Sequence, residues 1–319
     1  MEKYSIEVKN LSKKFGSFTA VDGVSFGVKA GTIFGFLGAN GAGKSTIIRM
    51  LCGLLEATSG TATVGGFDIR REPESVKRII GYMSQKFSLY EDLTVLENIR
   101  FFGGVYGLDS KTIEERSGWI LEMAGLNGQG KKLARSLALG WKQRLALGCA
   151  LIHRPEIVFL DEPTGGVDPL SRRRFWELIN SLSESGVTVF VTTHYLNEAE
   201  YCNDIRLIHA GRIVAGGSPG ELKTGYILNP ILEVSVDDPV QAMEVLKGEP
   251  WLLGVSLFGT RLHVGAADET ESPAAISRAL AGRGLSVNSI RKIRPSIEDV
   301  FIKKIEDESR PDKDTGRGR

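Results

Sequence analysis

Apolar and polar positions alternate twice near the start of the chain. Ile6 with Val8, and then Val24, Phe26 and Val28, follow a period of two, which predicts two half-buried antiparallel strands within residues 5–28. Residues 33–37 (IFGFL) read as a short apolar strand running into a glycine-rich loop. Beyond that loop Ile47, Ile48, Leu51, Leu54 and Leu55 recur at helical spacing. From about 86 to 150 the pattern turns helical, with Asp109 or Ser110 placed to cap a segment whose Ile113, Ile120, Met123 and Ala124 share one face. Short apolar runs of the kind buried in parallel sheets return at 157–160 (IVFL) and 187–192 (VTVFVT), separated by a helix around 172–182. A small hairpin turns at Ala210-Gly211 before the punctuation GGSPG at 216–220. These elements predict an α/β domain over residues 1–225, with a parallel-core sheet, an antiparallel β edge and an inserted helical subdomain at about 86–150.

The pattern then changes order. Residues 231–236, 239–247, 252–258, 261–265, 273–283 and 285–293 read as strand, helix, strand, strand, helix, strand, the split-βαβ arrangement of a ferredoxin-like fold. A final helix is expected from Pro295 to about Ile305. A small α+β domain over 226–306 and a disordered tail over 307–319 follow from this reading, the tail being too polar to bury itself.

Composition changes the picture mainly by exclusion. A chain of 319 residues with 42% apolar and 25% charged residues can pack two ordinary cores. No window approaches the roughly 18–20 apolar residues of a bilayer span, and the first residues carry no secretory h-region, so a cytoplasmic protein is expected. The cysteines, Cys52, Cys149 and Cys202, form no C-x-x-C pair, so neither disulfides nor a zinc site is indicated. A net charge of +1 offers no electrostatic footprint for nucleic acid.

The chemistry concentrates in two strand ends. Residues 38–46 (GANGAGKST) satisfy G-x-x-x-x-G-K-[ST] between an apolar strand and a helix, the context the motif requires. Chance could place a bare match among 38 glycines; it would not place it there. Gly38, Gly41 and Gly43 let the loop wrap closely, N–H groups from Asn40 through Ala42 to Thr46 can face phosphates, and the helix start adds its dipole. Lys44 is expected on the β- and γ-phosphates of a nucleotide, and Ser45 on Mg²⁺, which leaves open the kind of P-loop protein. At 157–162 (IVFLDE) a second strand delivers Asp161, expected to hold Mg²⁺, and Glu162, expected to orient or deprotonate the attacking water. The plain alternative for Glu162 is a solvated strand-end acid.

With those motifs in order, the chain resembles the ATP-binding cassette (ABC) family over about residues 3–225, and so a P-loop NTPase of the ABC-cassette class. The resemblance implies that Gln85, in GYMSQKFSLYEDLTVLENI, senses Mg²⁺ and the γ-phosphate, and that residues 87–91 face a membrane subunit. It implies Asp168 as the acid of a D-loop (TGGVDP) and His194 as the switch histidine on the γ-phosphate, against the ordinary reading of a lone histidine as structural. It sets Phe15 against adenine, with Phe18 as competitor; base–aromatic stacking contributes roughly 1–3 kcal/mol.

One motif departs. The usual LSGGQ, which the resemblance sets against the γ-phosphate bound by a second cassette, aligns with Leu137-Ala138-Leu139-Gly140-Trp141, so Leu137 to Gly140 are expected against nucleotide. Ala138, however, cannot donate the serine hydroxyl, and Leu139 restricts close backbone approach. Either a homodimer carries a weakened composite site, or a heterodimer's second cassette supplies an intact loop. The segment RPSIEDVFIKKIED resembles the closing part of ATPase subunits serving bacterial exporters of drugs and antibiotics. The resemblance thus implies ATP hydrolysis driving a separate integral membrane permease through a pair of cassettes, on the cytoplasmic face of the membrane, with no nucleic acid. A soluble repair or translation ATPase and a weakly hydrolysing regulatory cassette stand as alternatives.

Overall fold

A computed structural model describes residues 4–86, 88–268 and 270–309. The chain divides after Gly216 into two compact units.

In the first unit, β1 (Tyr4–Phe15) and β2 (Phe18–Lys29) pair antiparallel, pointing Ile6, Val8, Val24, Phe26 and Val28 into the core as the alternation predicts; Leu11 is buried too, past a register shift after Val8. After β3 (Ile33–Leu37) and α1 (Lys44–Leu51) the chain adds β4 (Ser59–Val64) and β5 (Phe67–Asp68), which complete an antiparallel sheet in the order β2-β1-β4-β5. Then come α2 (Pro73–Ile79) and β6 (Ile80–Met83), which like β4 and β5 had no sequence expectation. The helical subdomain comprises α3 (Val95–Val105), α4 (Ser110–Ala124) and α5 (Leu139–Ala150). Asp109 is the N-cap of α4, accepting from Thr112 N, and Ile120 and Ala124 enter a small core with Val95, Leu126 and Leu145.

Next come β7 (Ile157–Asp161), α6 (Pro169–Glu184), β8 (Thr188–Thr193), β9 (Asp204–His209) and β10 (Arg212–Gly217). The second sheet runs β10-β9-β3-β8-β7-β6, and its pairings β9–β3, β3–β8, β8–β7 and β7–β6 are all parallel. Strands β3, β7 and β8 are buried at every residue, which is why they read as unbroken apolar runs rather than alternations. Because this sheet is parallel, the C-terminal ends of β3, β7 and β8 lie along one edge, where loops gather into a site.

The second unit holds α7 (Pro219–Tyr226), β11 (Ile231–Val236), α8 (Pro239–Lys247), β12 (Gly254–Phe258), β13 (Arg261–Gly265), α9 (Ser272–Ala281), β14 (Val287–Ile293) and α10 (Ile297–Ser309). Its sheet order, β12-β13-β11-β14, is that of a ferredoxin-like fold. Two boundaries shift from expectation. Helix α7 belongs here rather than to the first unit: it packs on α10, and Lys303 Nζ donates to Tyr226 O at 2.7 Å. Helix α10 runs to Ser309, so 307–309 are helical rather than tail; 310–319 lie outside the described residues.

Candidate nucleotide site

The loop after β3 is shaped by contacts that only glycine allows. A Cβ on Gly38 would stand 2.2 Å from Ile208 O, and one on Gly43 2.5 Å from Ala20 O; Gly43 also has φ 107°. Gly211 N, in the turn between β9 and β10, donates to Ala42 O at 3.1 Å and buttresses the loop from behind. Gly43 begins α1 without a side-chain cap, so the first N–H groups of that helix stay available for an anion.

Three separate segments converge on Glu162. Lys44 Nζ, buried, lies 3.1 Å from Glu162 Oε1 and donates to Gly38 O at 2.8 Å and Ala39 O at 3.0 Å. Gln85 Nε2 donates to Glu162 Oε2 at 3.1 Å, and His194 Nδ1 is 3.1 Å from the same oxygen. Glu162 itself has φ 48°, a left-handed backbone uncommon outside glycine, held by its N–H to Thr192 O at 3.0 Å. Ser45 Oγ donates to Asp161 Oδ1 at 3.0 Å, and Thr192 Oγ1 donates to the same oxygen at 2.7 Å. Thr192, a hydroxyl next to the end of β8, was not among the expected site residues; its polar position in that run was the available signal.

Phe15, Phe18, Ala20, Asn40, Gly41, Gly43, Lys44, Ser45, Thr46, Gln85 and Glu162 line one groove of about 460 Å³. Phe15 and Phe18 are both exposed at its rim, and Lys13 Nζ sits 5.1 Å over the Phe15 ring. The groove therefore joins aromatic faces, loop N–H groups, a buried cation and a carboxyl group. Ser45 and Asp161 present hard oxygen donors side by side. Such hard oxygen donors suit Mg²⁺, which is held by one or two protein oxygens together with phosphate oxygens and waters.

The remaining expected residues lie apart from this cluster. Asp168 is exposed and caps α6 through Ser171 N at 2.9 Å; Ser171 holds its carboxyl below the usual carboxylate range. Leu137, expected against nucleotide, is instead buried in the helical subdomain's core. Ala138 is the N-cap of α5 and supplies no side-chain hydrogen bond, while Leu139 is exposed. Gly140 packs closely on α6, where a Cβ would stand 2.6 Å from Ser171 Oγ. Phe87 lies outside the described residues; the rest of its segment is tied to α5 by an ion pair of 2.7 Å between Glu91 and Lys142. Gln143, buried and not anticipated, donates to Pro163 O.

The family model described as ABC transporter matches residues 21–165. A second, described as the C-terminal domain of ATP-binding proteins like DrrA1-3, matches residues 217–305. The linearmycin resistance ATP-binding protein LnrL of Bacillus subtilis (strain 168) is 34% identical over 93% of this chain and 97% of its own length. The chain belongs to the ABC transporter ATP-binding family. The daunorubicin/doxorubicin resistance ATP-binding protein DrrA of Streptomyces peucetius is 36% identical over 93% of the chain and 91% of its own length. A 55% match to "Probable multidrug ABC transporter ATP-binding protein YbhF" of Escherichia coli (strain K12) covers 68% of the chain, which spans 38% of that relative's length. Among solved structures, an ATP binding subunit of an ABC transporter aligns with TM-score 0.63 at 30% identity, over 69% of this chain and 92% of its own. The dimeric, post-hydrolysis cassette MJ0796 bound to ADP and Pi aligns with TM-score 0.61 at 27% identity, over 67% of this chain and 98% of its own. The cassette has, among its described residues, no helix long and apolar enough to cross a membrane.

Proposed function

We propose that this cassette binds ATP with Mg²⁺ and hydrolyses it as the motor of an exporter, working in pairs on a separate integral membrane permease. The convergence of Lys44, Gln85 and His194 on Glu162 carries the reading. Phe15 stacks on adenine, and the N–H groups of residues 40–46 with the start of α1 cradle the phosphates. Lys44 has three donors, now shared among Gly38 O, Ala39 O and Glu162. A γ-phosphate that takes one of them releases Glu162 toward the attacking water, which it orients or deprotonates; His194 and Gln85 hold that carboxyl group from its other oxygen. Ser45 and Asp161, with Gln85 nearby, would hold Mg²⁺, which would supply electrostatic neutralisation of phosphate charge. The exposed start of α5, Ala138 to Gly140, faces the nucleotide of a second cassette, offering an uncapped helix terminus in place of a serine hydroxyl. Asp168 belongs to the same cassette-to-cassette contact.

Export is favoured by the resistance named for LnrL and DrrA, both covered over nearly their whole length. The MJ0796 dimer with ADP and Pi supports hydrolysis by paired cassettes. Steady-state ATP hydrolysis tests the reading. Glu162→Gln should lower turnover roughly 10²–10⁴-fold while nucleotide affinity is kept and the paired form accumulates. A Glu162→Gln variant that turns over like the parent removes Glu162 from the mechanism.

A further inference from the structure

Behind the candidate site a second buried cluster has no part in phosphate chemistry. Glu198 sits in the short 3₁₀ turn Leu196–Tyr201 after β8, with its side chain 1% exposed. Thr164 Oγ1, fully buried two residues beyond Glu162, donates to Glu198 Oε1 at 2.6 Å. Arg172 Nε, from the first turn of α6, lies 3.5 Å from the same oxygen. Glu198 Oε2 and Arg172 Nε have no hydrogen-bond partner although both atoms are buried. The Arg172 guanidinium lies over the Tyr195 ring at 4.1 Å, and that ring contacts the His194 imidazole at 4.1 Å.

A buried acid with one oxygen doubly engaged and the other bare is a poor stabilising device, because breaking even with desolvation requires every lone pair to be met. Its placement has a different logic. Thr164 leaves the strand end that carries Glu162, Tyr195 follows His194, and Arg172 follows the segment 164–168. One carboxyl group thereby ties together the three stretches whose relative positions set the Glu162–His194 distance of 3.1 Å.

We propose that Glu198 is a positioning residue for hydrolysis: with Thr164 and Arg172 it locks the loop bearing His194 to the segment following Glu162. The proposal rests on the hydrolytic reading above. It acts on the chemical step and leaves the phosphate cradle untouched, so it separates turnover from nucleotide affinity.

The test is steady-state ATP hydrolysis and nucleotide affinity by the whole chain as Thr164→Val, Thr164→Ser and Glu198→Gln, with thermal unfolding recorded for each. Thr164→Val removes the donor at constant shape; kcat should fall about tenfold with KM and nucleotide affinity within twofold, since a displaced catalytic group loses transition-state interactions alone. Thr164→Ser, which keeps the hydroxyl, should recover most of the loss. Glu198→Gln keeps an acceptor for Thr164 but gives up the charge beside Arg172, and should fall between the two; it carries the test if Thr164→Val does not fold. Three results overturn the proposal: full turnover in both Thr164→Val and Glu198→Gln, a Thr164→Ser variant as slow as Thr164→Val, or kcat and affinity falling together with the unfolding temperature. A parent chain without ATP turnover overturns the hydrolytic reading first and this inference with it.

Discussion

Each unit of the protein sets a histidine against a carboxyl group, His194 against Glu162 at 3.1 Å and His263 against Asp299 at 2.8 Å, yet the two pairs are built in opposite ways. Glu162 lines an open groove on a strained backbone, and its partners come from three loops that each end a different strand or helix junction. Asp299 is closed on itself. Its Oδ1 faces His263, its Oδ2 accepts from Ser296 N and Oγ at 2.7 Å, and Phe258 stacks on the His263 ring at 3.7 Å. Neighbouring Glu233 is likewise taken up by Arg261 and by Arg291 at 2.7 Å. The helix starts differ in the same sense. Ser296 and Asp299 cap α10 reciprocally, whereas α1 and α5 begin at Gly43 and Ala138 without a side-chain cap. A polar cluster that satisfies itself specifies a fold; one that leaves donors facing a groove is set to receive a ligand.

Removing Lys44 breaks this contrast most severely. Lys44→Ala takes away a charge-assisted donor worth about 1.5–3 kcal/mol, so ATP affinity should drop roughly 10–150-fold by titration calorimetry. Unchanged affinity would place the phosphates elsewhere. Asp299 gives the sharper test of the closed pair. Burial alone would raise its carboxyl, but His263 and Ser296 outweigh burial and hold it below the ordinary value of 3.8. Its contribution to stability is therefore complete above that value and is lost as pH falls through the lower folded value. Asp299→Asn should destabilise the second unit at neutral pH, flatten its acid unfolding below about pH 4, and leave ATP affinity unaltered. Tyr or Trp fluorescence followed during acid titration reads the first two effects. The smallest effect is expected at Ala138. Ala138→Ser restores an N-cap to α5 and should stabilise by about 1 kcal/mol, a rise of roughly 2–4 °C in unfolding temperature. If turnover rises with it, the native loop is the weak half of a composite site. If turnover stays level, LALGW is a competent loop as it stands.

Much of the architecture was legible because its signals are local. The alternation in β1 and β2, the unbroken apolar runs of β3, β7 and β8, and the split-βαβ order after residue 231 each follow from side-chain period and turn chemistry within a dozen residues. Strands β4 to β6 were not read. Ser59–Val64 begins with three exposed residues, β5 has two residues, and β6 carries Gly81 in the middle of four, so none shows a full period.

The motif residues Lys44, Ser45, Asp161 and Glu162 were legible in the sequence itself, since a phosphate loop needs glycines where backbone approaches closely and a strand end needs its acids at the last positions, whereas His194 was legible only through the family resemblance. Tertiary structure alone decided that Lys44, Gln85 and His194 meet on one carboxyl group, that Leu137 turns into a core, and that Thr164 reaches Glu198 across 34 positions. The reason is geometric. Periodicity constrains which face a residue occupies, but contacts between loops depend on the parallel strand order that brings β3, β7 and β8 together, and no local pattern encodes that order.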